Sequence, residues 1–211
     1  MTGGSAAQLL VLHAVRILGF ADVPAIAGRF DLPEAVACQE VEAARSEGWM
    51  SYATFADLSG WSLTELGRVE NERLLATELE HRHARGVVKA AYTDFLPLNT
   101  RLQRACTHWQ LRPAPGDPLA VNDHSDRAWD AGVVVELADL GAALVPLVAR
   151  LTGTLPRFEG YDQRYLCALA RVRSGETEWV DRTDRDSCHR AWFELHEDLV
   201  ATLRIDRGAP D

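Results

Sequence analysis

The first 50 residues are divided by glycine and proline into short segments whose apolar residues recur at helical spacing. In residues 6–19 the apolar side chains return every three or four positions, and Gly19 follows the last of them. Asp22 and Asp31 each stand just before a proline-containing segment, where an aspartate side chain caps the first turn of a helix. Gly48 closes the last segment. The pattern predicts three consecutive short helices, with Asp31 capping the third.

An aromatic-rich stretch with strand character follows these helices. Residues 49–52 and 60–63 flank a turn region, which predicts a β-hairpin. Thr64 stands where its side chain would cap a long helix beginning at Glu65. The apolar stripe expected on that helix consists of Leu66, Leu74, Leu75 and Leu79. The sequence therefore predicts the order helix, helix, helix, hairpin, helix.

This order of elements resembles a winged helix-turn-helix domain, and two short motifs add to the resemblance. Glu47-Gly48-Trp49 is similar to the end of the third helix in the MarR and PadR families of bacterial regulators. Leu63–Arg68 (LTELGR) is similar to the start of their helix after the wing. The resemblance covers roughly residues 8–80. It implies a homodimeric transcription factor whose third helix enters the major groove of double-stranded DNA.

The remaining residues predict further helices that carry no specific motif. These helices are expected at about residues 85–110, 125–151, 161–173 and 186–203, with a bend at Pro97 and a linker at 111–122. Asp123 or Ser125 is expected to cap the helix that follows. This half resembles a segment appended to actinobacterial regulators.

We therefore predict a mainly α protein with two domains. Residues 1–84 would form a winged helix-turn-helix of three helices and a small β-hairpin, and residues 85–211 an all-α sensing and dimerisation domain. Dimerisation is expected to use the helix from Glu65 and the apolar helix around Val133–Leu147. A small-molecule effector in the helical half would change the spacing of the two recognition helices, which must reach half-sites about 34 Å apart.

Four residues are candidates for DNA contact: Arg29, Gln39, Arg45 and Arg68. A glutamine side chain can pair with adenine, and an arginine can reach a phosphate. The net charge is −9, and Glu34 and Glu42 share the outward face of the third helix, where they would repel DNA.

The expected hairpin tip also lacks positive charge. It carries Asp57 and neither arginine nor lysine between residues 54 and 59, whereas the families resembled carry a basic residue there. A second interpretation therefore stays open, in which the winged helix binds a protein and not DNA.

Aromatic and polar side chains in the second half predict a small-molecule pocket. The candidate ligand-binding residues are His108, Trp109, His124, Trp129, Arg164, Tyr165 and Trp192. Their tryptophan and tyrosine rings would wall an apolar cavity, and the histidines and the arginine would supply its few polar contacts. An ordinary aromatic core uses the same residue types at helical spacing and stays open as the alternative.

A metal-binding sensor is the third interpretation, because histidines and cysteines recur in the second half. No CxxC or HExxH spacing supports it, and His189 and His196 lie two helical turns apart. Neighbouring residues such as Asp123, His124 and Ser125 cannot form a catalytic triad, and no glycine-rich phosphate loop is present. We therefore expect no enzymatic activity and no cofactor. The thiol of Cys38, expected on the exposed face of the third helix, is a candidate for oxidation sensing.

The sequence also predicts a cytoplasmic location and no membrane association. Four dispersed cysteines and an N-terminus without a basic region fit a reducing compartment. The longest apolar run, about Ala131–Ala149, contains Glu136 and Asp139. Two carboxylates in the run favour a buried helix over a membrane span.

Overall fold

The computed structural model describes residues 5–55 and 58–205 of the chain. Within them the fold is mainly helical, with one antiparallel pair of strands. The elements are α1 (Ala7–Leu18), α2 (Val23–Arg29), α3 (Glu34–Ser46), β1 (Met50–Phe55), β2 (Leu58–Leu63), α4 (Glu65–His81), α5 (Arg85–Gln110), α6 (Arg127–Thr152), α7 (Tyr161–Arg173) and α8 (Cys188–Leu203). Short 3₁₀ helices cover Pro156–Phe158 and Thr177–Trp179. The predicted mainly α class with a small hairpin is confirmed.

The chain divides into two compact units, each assembled from separate stretches of sequence. The first contains the chain up to Gly86, Leu155–Arg157 and the chain from Glu197 onward. The second contains Val87–Thr154 and Phe158–His196. The domain division after residue 84 stays a prediction, because compactness alone does not show which stretches fold independently.

The core of the first unit is built around α1. Apolar side chains fill almost every position from Leu9 to Ile17, so α1 is buried on several sides. A helix that is apolar around most of its circumference belongs inside a protein. The elements α2, α3, α4 and β2 all pack on it. Their contributions to the core include Ile26, Val41, Leu75 and Trp61.

The start of α3 differs from the prediction. Asp31 does not cap this helix but lies in the preceding turn with a left-handed φ of 52°. Aspartate tolerates that conformation better than most residues. Pro33 occupies the capping position with a φ of −57°, and its side chain has no hydrogen-bonding atom. Asp22 does cap α2 as expected, since its carboxylate accepts a hydrogen bond from the Ala25 amide at 2.9 Å.

The hairpin is held in register by its aromatic pair and by a contact with the chain before α2. Tyr52 lies opposite Trp61, and their rings meet edge to face at a centroid distance of 5.1 Å. Trp61 also exchanges backbone hydrogen bonds with Ala21 at 2.7 and 3.1 Å. Gly60 permits this approach, because a Cβ there would lie 2.9 Å from the Ala21 carbonyl oxygen. Asp57, singled out at the expected hairpin tip, lies outside the described residues.

The two sequence motifs meet in space at the start of α4. The Thr64 hydroxyl donates to the Gly48 carbonyl at 2.7 Å and accepts from the Gly67 amide at 3.1 Å, so Thr64 caps α4 as predicted. The Thr64 amide donates to the Trp49 carbonyl at 2.9 Å. A Cβ on Gly67 would lie 2.0 Å from that same carbonyl oxygen. Glycine at position 67 is therefore required by backbone contact, which explains why the two motifs occur together.

The buried stripe of α4 differs in one position from the predicted one. Leu75 and Leu79 are fully buried, but Leu66 is 65% exposed. The buried positions follow a spacing of four, from Gly67 through Asn71 to the two leucines. Because Gly67 faces the Trp49 carbonyl, its neighbour Leu66 must point away from the core.

The second unit consists of long helices whose ends match the sequence pattern closely. α6 and α7 pack together, and Gly141 allows this because a Cβ there would lie 3.1 Å from the Tyr165 and Leu166 side chains. α5 is one helix with Pro97 inside it, so a bend at that residue stays a prediction.

The capping residue of α6 was predicted wrongly. The Asp126 carboxylate, and neither Asp123 nor Ser125, accepts hydrogen bonds from the Ala128 and Trp129 amides, at 3.0 and 3.1 Å. Asp123 instead accepts from the Ser125 amide at 3.0 Å and forms a local turn. Three acceptor side chains within four residues made the choice ambiguous from sequence.

Candidate functional site

The outer face of α3 is exposed along its whole length. The spacing of the segment predicts an inner face of Val36, Ala37, Val41 and Ala44, and the structure buries the last three while Val36 is only partly buried. The exposed outer residues are Glu34, Ala35, Cys38, Gln39, Glu42, Arg45 and Ser46. The first unit therefore presents a helical surface of about three turns to solvent.

A groove lies between α3 and the hairpin. Its volume is about 440 Å³, and its lining residues are Glu42, Arg45, Met50, Ser51, Tyr52 and Trp61. Tyr52 is 55% exposed, so one aromatic ring borders the groove on the hairpin side. The groove thus combines an ion pair from α3 with an aromatic wall from β1.

Negative charge dominates the α3 surface. The chain from Glu34 to Glu47 contains four glutamates and one arginine. That arginine, Arg45, lies 3.1 Å from the Glu42 carboxylate in an exposed ion pair. Exposed pairs of this kind contribute less than about 1 kcal/mol, so Arg45 can exchange Glu42 for another anion at little cost.

The four predicted DNA-contacting residues do not share one surface. Gln39 and Arg45 lie on the exposed face of α3, and Arg68 is exposed on α4. Arg29 differs, because its Nε and Nη2 atoms are buried and its guanidinium lies 4.6 Å from the centre of the Phe30 ring. Its charge acts on the buried residues His13 and Asp198. Gln39 and Arg45 are therefore the best placed of the four to contact a ligand on α3.

A buried polar cluster in the first unit was missed by the sequence analysis. Arg157 lies at its centre and forms ion pairs with Asp198 and with Glu78, the latter at 2.8 Å. Its Nη2 donates to the Thr202 hydroxyl at 2.6 Å. The His13 ring lies 3.0 Å from the Asp198 carboxylate and 3.2 Å from Arg157. The cluster joins α1, α4, the 3₁₀ turn and the end of α8.

Charge states in this cluster follow from its burial. Burial lowers the pKa of the His13 imidazole, and the attraction of Asp198 offsets this only in part. Burial alone would raise the pKa of the Asp198 carboxyl, but the Arg157 guanidinium outweighs it and holds that pKa below its ordinary value. His13, Asp198 and Thr202 are all fully buried. Because solvent does not reach them, these side chains bond to one another and are closed to a substrate.

One sequence signal pointed to this cluster. His13 stands inside the apolar run from Leu9 to Val15, where a polar residue needs a buried partner. Its partners Arg157 and Asp198 are 144 and 185 residues further along the chain. No spacing pattern within α1 identifies them.

Three of the predicted ligand-binding residues have structural roles in the second unit: two are buried in its core, and one forms ion pairs. Tyr165 and Trp192 are buried with ring centroids 5.7 Å apart. The Tyr165 hydroxyl donates to the Leu137 carbonyl at 2.9 Å, and the Trp192 indole N–H donates to Asn99 at 3.1 Å. Arg164 forms ion pairs with Asp186 and Glu194 at 2.6 and 2.7 Å. The polar groups of these three side chains thus take part in hydrogen bonds and ion pairs within the unit.

The other four predicted ligand residues cluster at the end of α5. The rings of Trp109 and His124 are 4.5 Å apart, and those of His108 and Trp129 are 5.2 Å apart. The Trp129 indole N–H donates to the His108 carbonyl at 2.7 Å, which fixes the end of α5 to the start of α6.

Asn122 and Asp130 organise the chain around this aromatic cluster. The Asn122 amide donates to the Trp109 carbonyl at 3.0 Å and to the Asp130 carboxylate at 2.9 Å. Asp130 also lies 3.1 Å from His124. His124 adopts a left-handed φ of 58°, which these contacts hold in place.

A second groove runs between α5 and α6 beside this cluster. Its volume is about 410 Å³, within the range of small-molecule sites. The lining residues are Arg104, Ala105, His108, Ala128, Trp129, Gly132, Val133 and Glu136. It therefore contains two of the seven predicted residues, His108 and Trp129.

No group of three or more histidine, cysteine or carboxylate side chains in residues 5–55 and 58–205 is placed to hold a metal ion. Burial raises the pKa of the Cys106 and Cys188 thiols to about 12, so both are protonated at neutral pH. Cys38 is exposed on α3, as predicted.

α6 is long and apolar enough to cross a membrane by length and composition. In its most apolar stretch, 39% of the residues are buried. The core helix of a water-soluble protein passes the same test, and the cytoplasmic location stays a prediction.

Comparison of this chain with models of protein families, with curated proteins and with solved structures finds no match.

Proposed function

We propose that the first unit is a winged helix-turn-helix module and that the protein is a cytoplasmic, DNA-binding transcription regulator without catalytic activity. The observation that carries this proposal is the exposed outer face of α3 beside an antiparallel hairpin. The order α1, α2, α3, β1, β2, α4 supports it, because such modules place their third helix in the major groove.

Base contact is assigned to Gln39 and phosphate contact to Arg45. A glutamine amide can form two hydrogen bonds with the edge of adenine. Arg45 would leave Glu42 and pair with a phosphate in the complex. Since Glu34 and Glu42 oppose the approach of a polyanion, we expect weak binding that is measurable mainly at low salt.

The second unit supplies dimerisation in this proposal, through the outer face of α6. The apolar residues on that face are Ala131, Val135, Ala138, Ala142, Val145 and Ala149. Their spacing alternates between four and three, which is the repeat that pairs helices side by side. Val135 is 61% and Val145 is 38% exposed, so both remain available to a second copy. Two copies would present two α3 helices to two half-sites of DNA.

A gel-shift titration at low salt tests the proposal. The probe is double-stranded DNA from upstream of the protein's own gene, with a fragment of unrelated sequence as competitor. We expect a shifted band that the unrelated fragment displaces poorly. The Arg173→Ala variant should give the same shift as the wild type, because Arg173 is exposed on the second unit and remote in sequence from α3. Absence of any shift with correctly folded protein would contradict the proposal.

A second candidate function is favoured by one observation, the four glutamates between Glu34 and Glu47. One of them, Glu42, borders the same groove as the exposed side chain of Tyr52, and acidic and aromatic groups of this kind suit a basic protein partner. In that case α3 and the hairpin would dock on a protein and not on DNA. A pull-down with wild-type protein and with the Tyr52→Ala variant distinguishes the two functions. Docking is favoured if a protein partner binds the wild type but not the variant and if the gel-shift titration shows no shifted DNA.

A further inference from the structure

The groove between α3 and the hairpin has an aromatic wall with an exposed ring. Met50 and Trp61 are buried among its lining residues, and Tyr52, opposite Trp61 in the hairpin, is 55% exposed. The Tyr52 ring meets the Trp61 indole edge to face at 5.1 Å, and Trp61 is itself bonded to the backbone of Ala21. Tyrosine has only two side-chain torsions, so a planar group stacks on a ring supported in this way at little entropic cost.

The charged groups of the groove are one acceptor and one donor. The Glu42 carboxylate and the Arg45 guanidinium both line it and are 3.1 Å apart. Both side chains are more than half exposed, so the pair separates at little cost when either group meets another partner. The separated pair offers a carboxylate to N–H donors and a guanidinium to a phosphate.

An unpaired guanine in a DNA strand carries the groups that match this pair. The Watson–Crick edge of guanine has two neighbouring N–H donors, which suit the two oxygens of one carboxylate. Adenine has an acceptor in place of one of these donors, and a carboxylate repels an acceptor. In a paired duplex the guanine donors are bonded to cytosine, so only an unpaired guanine presents them to a protein.

The charge of α3 also favours an unpaired base over a paired duplex. The four glutamates between Glu34 and Glu47 oppose the dense phosphate charge of a duplex. Stacking of a base on an aromatic ring does not depend on that charge. Glu42, which repels the duplex, becomes a binding group once a guanine lies in the groove.

We propose that the groove between α3 and the hairpin is a subsite for one unpaired guanine of DNA, stacked on Tyr52, with its N–H donors on the Glu42 carboxylate and its phosphate on Arg45. The volume of about 440 Å³ is within the range of sites that hold small organic molecules, so a purine base fits. A base without a pairing partner is also extruded from the stack at lower cost than a paired one.

This inference deepens the proposed function and rests on it, because both place DNA against α3 and the hairpin. The two are tested separately. Binding of a paired duplex measures the proposed function, and the gain from one added unpaired base measures the subsite.

Fluorescence anisotropy of the full-length protein at low salt compares three DNA probes of one sequence. The first is fully paired, the second carries one extra unpaired guanine, and the third carries one extra unpaired adenine. We expect the guanine probe to bind about tenfold more tightly than the adenine probe, because hydrogen bonds to a charged group contribute about that factor. It should bind more tightly still than the paired probe, which lacks the stacked base.

The possible failures of this experiment are distinguishable. Equal affinity of the guanine and adenine probes, or of the guanine and paired probes, would overturn this inference and leave the proposed function intact. Absence of binding to all three probes would contradict the proposed function as well.

Two variants locate the subsite. Tyr52→Ala should weaken the guanine probe about tenfold more than the paired probe, whereas Tyr52→Phe keeps the ring and should retain the preference for guanine. Glu42→Gln should reduce the preference for guanine over adenine and yet tighten the paired probe, because it removes a repelling charge. A purely electrostatic role of Glu42 would change the affinity of all three probes in the same direction.

Glu34→Gln is the matched control for charge. Glu34 is exposed on the same face of α3 and does not line the groove, so the variant should tighten all three probes and keep the preference for guanine. Circular dichroism and thermal melting show whether each variant is folded. An unchanged preference for guanine in folded Glu42→Gln and folded Tyr52→Ala would show that the base lies elsewhere and would overturn the assignment.

Discussion

At the scale of single residues, the buried group formed by His13, Arg157 and Asp198 has the largest expected effect on stability. A buried ion pair is not strongly stabilising in itself, because removing both charges from water is costly. Loss of one partner is far more damaging, since the other charge stays buried without compensation. Arg157 and Asp198 are both at most 5% exposed, and after loss of Asp198 the Arg157 charge would be compensated only in part, through its ion pair with Glu78.

The Asp198→Asn substitution should therefore destabilise the protein by about 3–5 kcal/mol, measured as the free energy of unfolding in urea. Asp94→Asn is the matched control, because Asp94 pairs with Arg150 at the surface and that side chain is 58% exposed. The control should change stability by less than about 1 kcal/mol. Equally small effects of both substitutions on the free energy of unfolding would show that the buried charge of Arg157 does not need the Asp198 carboxylate.

The same group predicts a loss of stability in acid. The pKa of His13 is lowered in the folded state, so below about pH 6.5 the unfolded chain binds more protons at this residue. Stability should therefore fall as the pH decreases from neutral. The pKa of Asp198 is also lowered, so its contribution is present above about pH 4 and is lost as the pH falls further.

Urea unfolding of His13→Gln between pH 7 and pH 5 isolates the first of these effects. We expect the variant to lose less stability over this interval than the wild type, whatever its stability at pH 7. His81→Gln, at an exposed histidine at the end of α4, should keep the wild-type dependence on pH. If the free energy of unfolding of His13→Gln changed with pH as steeply as that of the wild type, the lowered pKa of His13 in the folded state would be contradicted.

At the scale of elements, the contact between the end of α3 and the start of α4 fixes the hairpin between them. Thr64 bonds to the Gly48 carbonyl, and Gly67 packs on the carbonyl of Trp49. These contacts close the loop that contains both strands. The hairpin is thereby held beside the exposed face of α3, which is the arrangement that the proposed DNA contact needs.

Gly67→Ala should disrupt this junction, because the added methyl would lie 2.0 Å from a backbone oxygen that cannot rotate away. We expect a loss of more than about 2 kcal/mol in the free energy of unfolding, comparable to strong overpacking. Gly28→Ala is the control, since a Cβ there meets no described atom within 4 Å and should stabilise α2 by up to about 1 kcal/mol. Equal tolerance of both substitutions would refute the close contact.

The elements themselves were largely predictable from sequence, because apolar spacing and glycine stops are local signals. The errors concern single positions. Pro33, and not Asp31, occupies the capping position of α3, and Gly67, and not Leu66, faces the core at the start of α4. Among three adjacent acceptors, Asp126 became the cap of α6. In each case a neighbouring residue could occupy the same structural position, and the periodicity of the segment does not show which of the neighbours does so.

The candidate sites were less predictable, because they depend on contacts between distant segments. Nothing in α1 indicates that His13 meets Arg157 and Asp198. Tyr165 and Trp192 carry the residue types of a ligand pocket, yet both are buried with their polar atoms bonded to Leu137 and Asn99. Composition does not distinguish an aromatic core from an aromatic cavity, whereas the chain fold does.

At the scale of the whole molecule, the proposed regulator depends on pairing through α6. Val135→Glu should convert a dimer into a monomer, because it places a charge within the apolar face. Light scattering coupled to size exclusion measures the change in mass. Leu119→Glu is the control, since Leu119 is 70% exposed in the segment before α6. A variant that keeps the wild-type mass, or a wild type that is already monomeric, would exclude this interface.

The most direct measurement of the central claim is the affinity of the outer face of α3 for DNA, determined by fluorescence anisotropy at low salt. Removing the carboxylate that opposes DNA and holds Arg45 should tighten binding, so Glu42→Gln should bind more strongly than the wild type. Gln39→Ala should bind more weakly and with less discrimination between sequences. Glu80→Gln, at an exposed glutamate near the end of α4, serves as the charge control and should resemble the wild type. Wild-type affinity in both α3 variants, or no binding by any of the four proteins, would contradict the account.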